Sequence, residues 1–367
     1  MKNLIFFAAL VAFSLSSSNF GHAQFAISNF SDNGSDNNAS HNNSNLDLNV
    51  MSDLVDFTIG NKSSTGSYAG SVLVNGNWMN VNNDFSQSNM IGFNRTFNSM
   101  SNIETSLGKG WSSNWDMHLK ANALGDVYFV DAEGRMLLLI KNKAENNFTP
   151  DNKEFPNLVQ ENNGTYVLTK ENGDTYKFNE VGKVTMINEN NGEKLINLSY
   201  DNSGYLTEVN GESGKLKLVN DNEGNLIKVI NDKNEEVNYS YDSENLLSEI
   251  TFSDNSTITY TYDENGRLTS MVDRLGDLHL FEFDNKNRIV KRTNAIGETQ
   301  TFSYPKSLGI FPQNVQVYEN NEGETWVYRA NERGKLVKIE YPDGSTKKLK
   351  YDNAGNIVDE IYSDATE

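Results

Sequence analysis

Cysteine is absent from the 367 residues, which excludes a disulfide framework, a thiolate metal site and a lipid-attachment thiol. Packing and hydrogen bonding alone must hold the fold. Histidine is scarce, at four residues, and only His118 and His279 fall in the region expected to fold. Each is isolated and reads as an ordinary surface or strand histidine, so neither a His-rich metal site nor a Ser-His-Asp arrangement has its parts. No G-x-S-x-G, H-E-x-x-H or phosphate-loop pattern occurs, and the chain reads as no enzyme, with no catalytic, metal or cofactor residue to assign. Five prolines and 27 glycines rule out a proline-rich stalk or a collagen. Positive charge is also in deficit: 31 Lys and Arg against 50 Asp and Glu give a net charge of −19. Nucleic-acid phosphates and anionic lipids would be repelled, while a basic partner, a cation or a neutral surface stays compatible, and a charge-solubilised surface is the simplest role. The longest apolar run, Leu4 to Leu15, is short of the ~20 residues of a spanning helix.

What is present begins with an export signal. Lys2, that apolar run and Gly21-His22-Ala23 form a secretory signal peptide over 1–23. The mature chain is therefore expected to be secreted, periplasmic or on the cell surface, with no membrane span after cleavage. Residues 24–50, dominated by Asn, Ser and Asp, read as a disordered linker. Asp32 and Asp36 in it lack the spacing and closing Glu of a calcium loop.

Beyond Ser52, short alternating segments rich in Val, Ile, Thr, Tyr and Phe recur between Gly and Asn turns, the pattern of an all-β chain. An Asp or Asn followed three residues later by Gly or Asn occurs at Asp131, Asn179, Asp201, Asp221, Asp242, Asp263, Asp284, Asn331 and Asp352. From Asn179 to Asp284 the steps are 22, 20, 21, 21 and 21 residues. A second turn residue lies thirteen further on, at Gly192, Gly214, Asn234, Asn255, Gly276, Gly297 and Gly344. Two turns per period mean two strands per period, hence an antiparallel β-hairpin ribbon.

The turn pairs Asp201 and Gly204, Asp221 and Gly224, Asp242 and Asn245, Asp263 and Gly266, Asp284 and Asn287, and Asp352 and Gly355 have a physical logic. The carboxylate accepts a backbone N–H two residues on, and Gly, or Asn in its place, takes the left-handed conformation of a bulged hairpin turn. Ahead of each Asp, rings or aliphatics alternate, as in Tyr239 and Tyr241, Tyr260 and Tyr262, or Phe281 and Phe283, which puts them on one face. Lys177, Ser199, Ser240, Thr261, Glu282, Ser303 and Lys350 fall on the polar opposite face. Trp326 is in phase with this stripe. Trp78, Trp111 and Trp115 are not, and are the candidate ligand-facing aromatics.

These residues resemble YD repeats: NENNGEKLINLSY from Asn188 to Tyr200 and YTYDENGRLTS from Tyr260 to Ser270 are similar to repeat stretches of RHS proteins. Gly92 to Ser99 followed by Leu107-Gly108-Lys109-Gly110-Trp111 resembles the segment that opens the RHS core. The resemblance divides the mature chain into an RHS N-terminal region at 51–140 and a YD-repeat region at 141–367. It implies a ribbon wound toward a hollow shell. With nine or ten repeats, fewer than cage-closing members carry, an open or partial shell is expected. No self-cleavage region or C-terminal toxin is recognised before Glu367. The function implied is an exported, non-catalytic structural or binding protein at the cell surface, with a glycan or another protein chain as partner. The alternative is a remnant or split cage component of an RHS-type toxin-delivery system that encloses a separately encoded cargo. An open edge from Tyr351 to Tyr362 offers a route to oligomers, with Lys347, Lys348 and Lys350 read as its guard against aggregation.

Overall fold

The structure is a computed structural model that describes residues 71–365, apart from 73–75, 86–90, 102, 133, 135, 143–144, 146, 151–155, 171, 190–193, 306–313, 332–335 and 353–356. The signal peptide, the linker, Gly192 and Gly355 lie outside the described residues. Every regular element among the described residues is a β-strand.

Twenty-four strands, from His118–Ala121 to Ile357–Ser363, follow one another as a single antiparallel meander, each paired with its sequence neighbour. The ribbon is open: among the described residues no ladder joins its first strand to its last. The first strand meets the ribbon again at one place, where Leu119 N donates to Gly182 O at 2.7 Å and His118 bridges to Lys183.

The turns repeat one arrangement. At Asp263 the carboxylate accepts from Asn265 N at 2.9 Å and Arg267 N at 3.0 Å, while Gly266 N donates to Asp263 O at 2.9 Å. Gly266 has φ 73°, and the register slips by one residue at Thr261/Tyr262, which is the bulge that admits the extra residue. Gly204 and Gly224 sit at φ 86° and 95°, Asn245 and Asn287 at 62° and 59°. Of the thirteen-later positions, Asn234 at 61°, Asn255 at 64° and Gly276 at 85° use the same region, whereas Gly214, at 146°, opens a strand and pairs with Gly211 across a two-residue turn.

Long side chains just after the left-handed residue tie one turn to the next: Lys183 Nζ donates to Gly204 O, and Arg267 Nη1 to Asp284 O at 2.8 Å. Nothing in the spacing announces this, because the position accepts Lys or Arg and tolerates others.

The inner stripe alternates in depth. Tyr239, Tyr260, Phe281 and Phe302 are buried, whereas Tyr241, Tyr262, Phe283 and Tyr304, one hairpin level nearer the turns, are partly buried against the same core. The preference for tyrosine at the second level has a polar cause. Tyr241, Tyr262, Tyr304 and Tyr351 each donate a phenol hydrogen to the carbonyl fifteen residues earlier, at Leu226, Leu247, Ile289 and Leu336, over 2.5–2.9 Å. Tyr200 makes the equivalent bond sixteen residues back, to Val184 O at 2.7 Å. Each bond ties one hairpin to the preceding one and satisfies a carbonyl at the bulge, where the ladder is interrupted.

One expectation needs correction. Lys347, Lys348 and Lys350 are not on the edge strand but on its neighbour, Thr346–Tyr351, where Lys347 pairs with Glu360 at 3.1 Å and Lys350 with Asp359 at 2.8 Å. They knit the last two strands together. The edge strand itself, Ile357–Ser363, exposes Val358 at 62% and Tyr362 at 65%.

Gly182 and Gly276 make a controlled pair. Both are left-handed, at φ 83° and 85°, but a Cβ on Gly182 would overlap the Leu119 carbonyl, whereas one on Gly276 would meet open space. Gly276→Ala is expected to cost about 1–2 kcal/mol from backbone strain alone. Gly182→Ala should cost more and should free the first strand, seen as faster hydrogen exchange at the Leu119 amide than in Gly276→Ala.

Candidate functional site: the covered inner face

A second sheet of four strands, Ser71–Val72, Trp78–Phe85, Phe93–Asn98 and Trp111–Ser113, lies against the ring stripe of the ribbon. In Phe93–Asn98 the period of two puts Phe93, Arg95 and Phe97 on one face. All three are buried. Phe93 packs on Tyr239 at 6.0 Å between ring centres, and Phe97 on Trp78 and Trp111.

Arg95 holds the centre. Its Nε and Nη2 donate to the two oxygens of Asp84 at 2.6 and 2.8 Å, with both side chains wholly buried. Its Nη1 donates to Tyr260 Oη at 3.0 Å, Tyr239 Oη donates to Asp84 at 2.7 Å, and the guanidinium stands 5.4 Å from the Trp111 ring centre. Asp84 reaches this face through a register slip between Asn83 and Phe85 opposite Phe93 and Asn94. Burial opposes the charge of Arg95, but Asp84, Tyr260 and Tyr239 together outweigh it and the pKa rises, so the guanidinium stays charged. Burial pushes Tyr239 and Tyr260 upward, so both remain neutral donors and acceptors. The cluster is a satisfied ion pair bridging the two sheets, with no base or nucleophile free to react.

The backbone of the same segment caps the ribbon's hairpins. Ser106 O accepts from Leu226 N at 2.7 Å and Tyr241 Oη at 2.9 Å, and Gly76 O accepts from Ile289 N at 3.0 Å.

The structure places Trp78, Trp111 and Trp115 inside the molecule, with relative exposures of 0%, 2% and 6%. Trp78 stacks on Phe281 at 4.2 Å, Trp111 Nε1 donates to Tyr262 Oη at 2.9 Å, and Trp115 Nε1 to Gly92 O at 3.0 Å. None turns a ring face to solvent. Trp78 and Trp111 depart from the repeat's phase because they belong to the second sheet, and Trp115 because it lies in the turn just after that sheet's last strand. Trp326 lies on the stripe, stacked on Tyr318 at 5.0 Å. Sequence reasoning passed over Arg95, although a lone cation between two phenylalanines at alternate positions was the available signal. Asp84 had none, because its orientation depends on the register slip.

No group of His, Asp and Glu among the described residues could hold a metal ion. His279, buried in the strand Leu278–Phe283, lies 3.4 Å from Asp273. Burial lowers its pKa below the ordinary value, with Asp273 opposing in part. The unfolded chain therefore binds more protons just below pH ~6.5, so the stability this group contributes is present above that pH and lost as pH falls. Asp221, Asp263 and Asp284 are also lowered: burial acts against them, and hydrogen bonds from their own turns outweigh it. Their contribution is present above about pH 4 and lost below it. A melting-temperature profile from pH 8 to 3 should decline in two steps, and His279→Gln should remove the first alone.

The Teneurin YD-shell model matches residues 153–366, more than half of the chain, and a model described as a domain of unknown function, DUF6531, matches residues 72–139. No curated protein matches. Solved structures that match the chain include TcdB2-TccC3 without its hypervariable C-terminal region, at 9% identity and TM-score 0.33, covering 78% of this chain and 21% of that one. Another is the Photorhabdus luminescens Tc holotoxin pore, at 10% identity and TM-score 0.26, covering 79% and 23%. The chain spans about a fifth of the length of these structures. By its turns, its ring stripe and the match over its repeat region, the chain belongs to the teneurin YD-shell family of RHS/YD-repeat proteins.

Proposed function

We propose that this chain is an exported, non-catalytic YD-shell module that acts as a binding scaffold through its outer face, with a surface glycan or another protein as ligand. The observation that supports this best is the covered inner face. Arg95, Phe93, Trp78 and Trp111 occupy the ring stripe from Tyr239 to Phe283, so that stretch is closed to a partner. Lys177, Ser199, Ser240, Thr261, Glu282 and Ser303 are exposed on the opposite face and offer polar groups along several repeats. The buried, neutralised state of the Arg95 cluster argues against chemistry there. Export would follow from the signal at 1–23.

Secretion of a chain cleaved near Ala23, read by mass spectrometry, tests the export step. Retention of the mature protein on a glycan panel, or a stoichiometric complex with a co-expressed neighbour, tests binding. Charge reversal at Lys177 and Glu282 should weaken either interaction and leave the melting temperature within about 0.5 kcal/mol equivalent of wild type. A blank panel together with no complex would reject the scaffold. Encapsulation of a separately encoded cargo is the second reading, and a co-purified basic protein protected from protease would favour it.

A further inference from the structure

The strand Ile357–Ser363 is hydrogen-bonded along one side: it pairs with Thr346–Tyr351, and among the described residues nothing pairs with its other side. The register settles which groups that side presents. Leu349, buried in the core, lies opposite Glu360, so Glu360 and Tyr362 share the inner face, while Asp359, Ile361 and Ser363 lie on the outer one. Tyr341, 21 residues before Tyr362, donates its N–H to Ser345 O, toward the strand that follows it. By the same alternation Glu360 and Tyr362 turn their N–H and C=O groups to the open side. Open donors and acceptors in a strand that also exposes Val358, Ile361 and Tyr362 form a template for another strand.

The usual guards against such pairing are not on this strand. It contains no proline, lysine or arginine. Its two carboxylates are neutralised from the strand behind, Glu360 by Lys347 at 3.1 Å and Asp359 by Lys350 at 2.8 Å. The strand also fits itself. In antiparallel pairing about a two-fold axis, an axis on Asp359 or on Glu360 sets a carboxylate against its own copy, and an axis on Tyr362 sets Glu360 against Asp364. An axis on Ile361 avoids all three clashes. Glu360 then faces Tyr362, whose hydroxyl already donates to Glu360 within the strand at 3.1 Å, Asp359 faces Ser363, and Ile361 meets Ile361 on the outer face. The residues that face each other as Glu360 and Tyr362 are the ones with open backbone groups, so the ladder closes in the register that the charges favour.

We propose that two copies of the chain associate through this edge, strand Ile357–Ser363 against itself in antiparallel sense, with Ile361 on the two-fold axis. The dimer continues the outer face from one copy into the next. Lys177 and Glu282, which test the outer face as a binding surface, are not in the contact, so failure here leaves the scaffold reading standing.

Sedimentation velocity of the mature full chain over a concentration series should show a reversible monomer–dimer equilibrium. It should tighten as ionic strength rises, because a net charge of −19 on each copy opposes approach while the charges at the edge are matched within each copy. The chain has no cysteine, so an introduced thiol reports its neighbour across the axis. Ile361→Cys should give a disulfide-linked dimer on mild oxidation, since facing positions outside the hydrogen-bonded pairs lie about 4.5 Å apart at Cα. Asp359→Cys alone and Ser363→Cys alone should not cross-link, and a mixture of the two should. Ile361→Lys and Ile361→Glu should each weaken the dimer at least tenfold with an unchanged circular dichroism spectrum, and an equimolar mixture should restore it. A chain that stays monomeric at every concentration overturns the pairing; if its Glu360 and Tyr362 amides are then protected from exchange, another segment of the same chain covers the edge. Cross-linking as fast at Asp359→Cys as at Ile361→Cys, or a dimer indifferent to both charged variants, overturns it as well.

Discussion

Asp84→Ala should unfold most of what holds the second sheet to the ribbon, at an expected cost of about 3–5 kcal/mol. The substitution leaves Arg95 charged and wholly buried, with its Nε and Nη2 donors unpaired and Tyr239 Oη deprived of its acceptor. Coulomb attraction is the smaller part of this loss. The greater part is desolvation no longer offset, since an unpaired buried ion costs several kcal/mol on its own. Arg95→Ala should cost about the same, and Asp84→Ala with Arg95→Ala clearly less than the sum of the two. Replacing the pair by Leu and Met should still cost, because Tyr239 and Tyr260 would then keep buried hydroxyls with fewer partners, at about 1–3 kcal/mol each. Adding Tyr239→Phe and Tyr260→Phe should bring stability back toward wild type. Denaturation midpoints for this series check the scheme. A result in which Asp84→Ala melts within a degree of wild type would show that the cluster does not join the sheets.

The sequence made the ribbon legible and the second sheet nearly illegible, for one physical reason. A hairpin repeat is decided locally: the carboxylate of Asp263 bonds amides two and four residues away, and Gly or Asn takes the position three residues on at positive φ. Spacing therefore locates the turns that keep an Asp or Asn in the 21-residue step, but not those at Glu161/Gly164 and Lys170/Gly173, which have the same bond without that side chain. The second sheet is decided by distant pairs. Arg95 and Tyr260 are 165 positions apart, Asp84 and Tyr239 are 155 apart, and no local rule links them. The same limit explains the tryptophans. Trp78, Trp111 and Trp115 fall out of step with a repeat they do not belong to, and rings without a phase look available when they are in fact enclosed. The lysines near the C-terminus show a third kind of limit, since Lys347 and Lys350 are one strand away from the edge and the difference lies in the pairing order.

Trp78→Ala should be the most damaging single truncation of a ring, at about 3–5 kcal/mol. The indole is fully buried, stacked on Phe281 at 4.2 Å with 29° between planes, and edge-on to Phe97 at 5.5 Å. It thus fills the space where the two sheets meet, and truncation leaves a cavity that neither sheet can close, because both are fixed by ladders on either side. Trp78→Phe separates the terms. A phenyl ring keeps the stack on Phe281 and removes an indole N–H that has no partner, so its cost should be well under half that of alanine, from lost volume alone. The ribbon's own hairpins do not depend on this ring, so far-ultraviolet circular dichroism should change little while the near-ultraviolet signal and the melting temperature fall. Hydrogen exchange should localise the loss: amides in Trp78–Phe85 and Phe93–Asn98 should exchange faster, whereas those in Thr346–Tyr351, remote from this contact, should keep their protection. Equal loss of protection in both places would mean that the second sheet and the ribbon unfold as one unit, and that the inner face is not a separable lining.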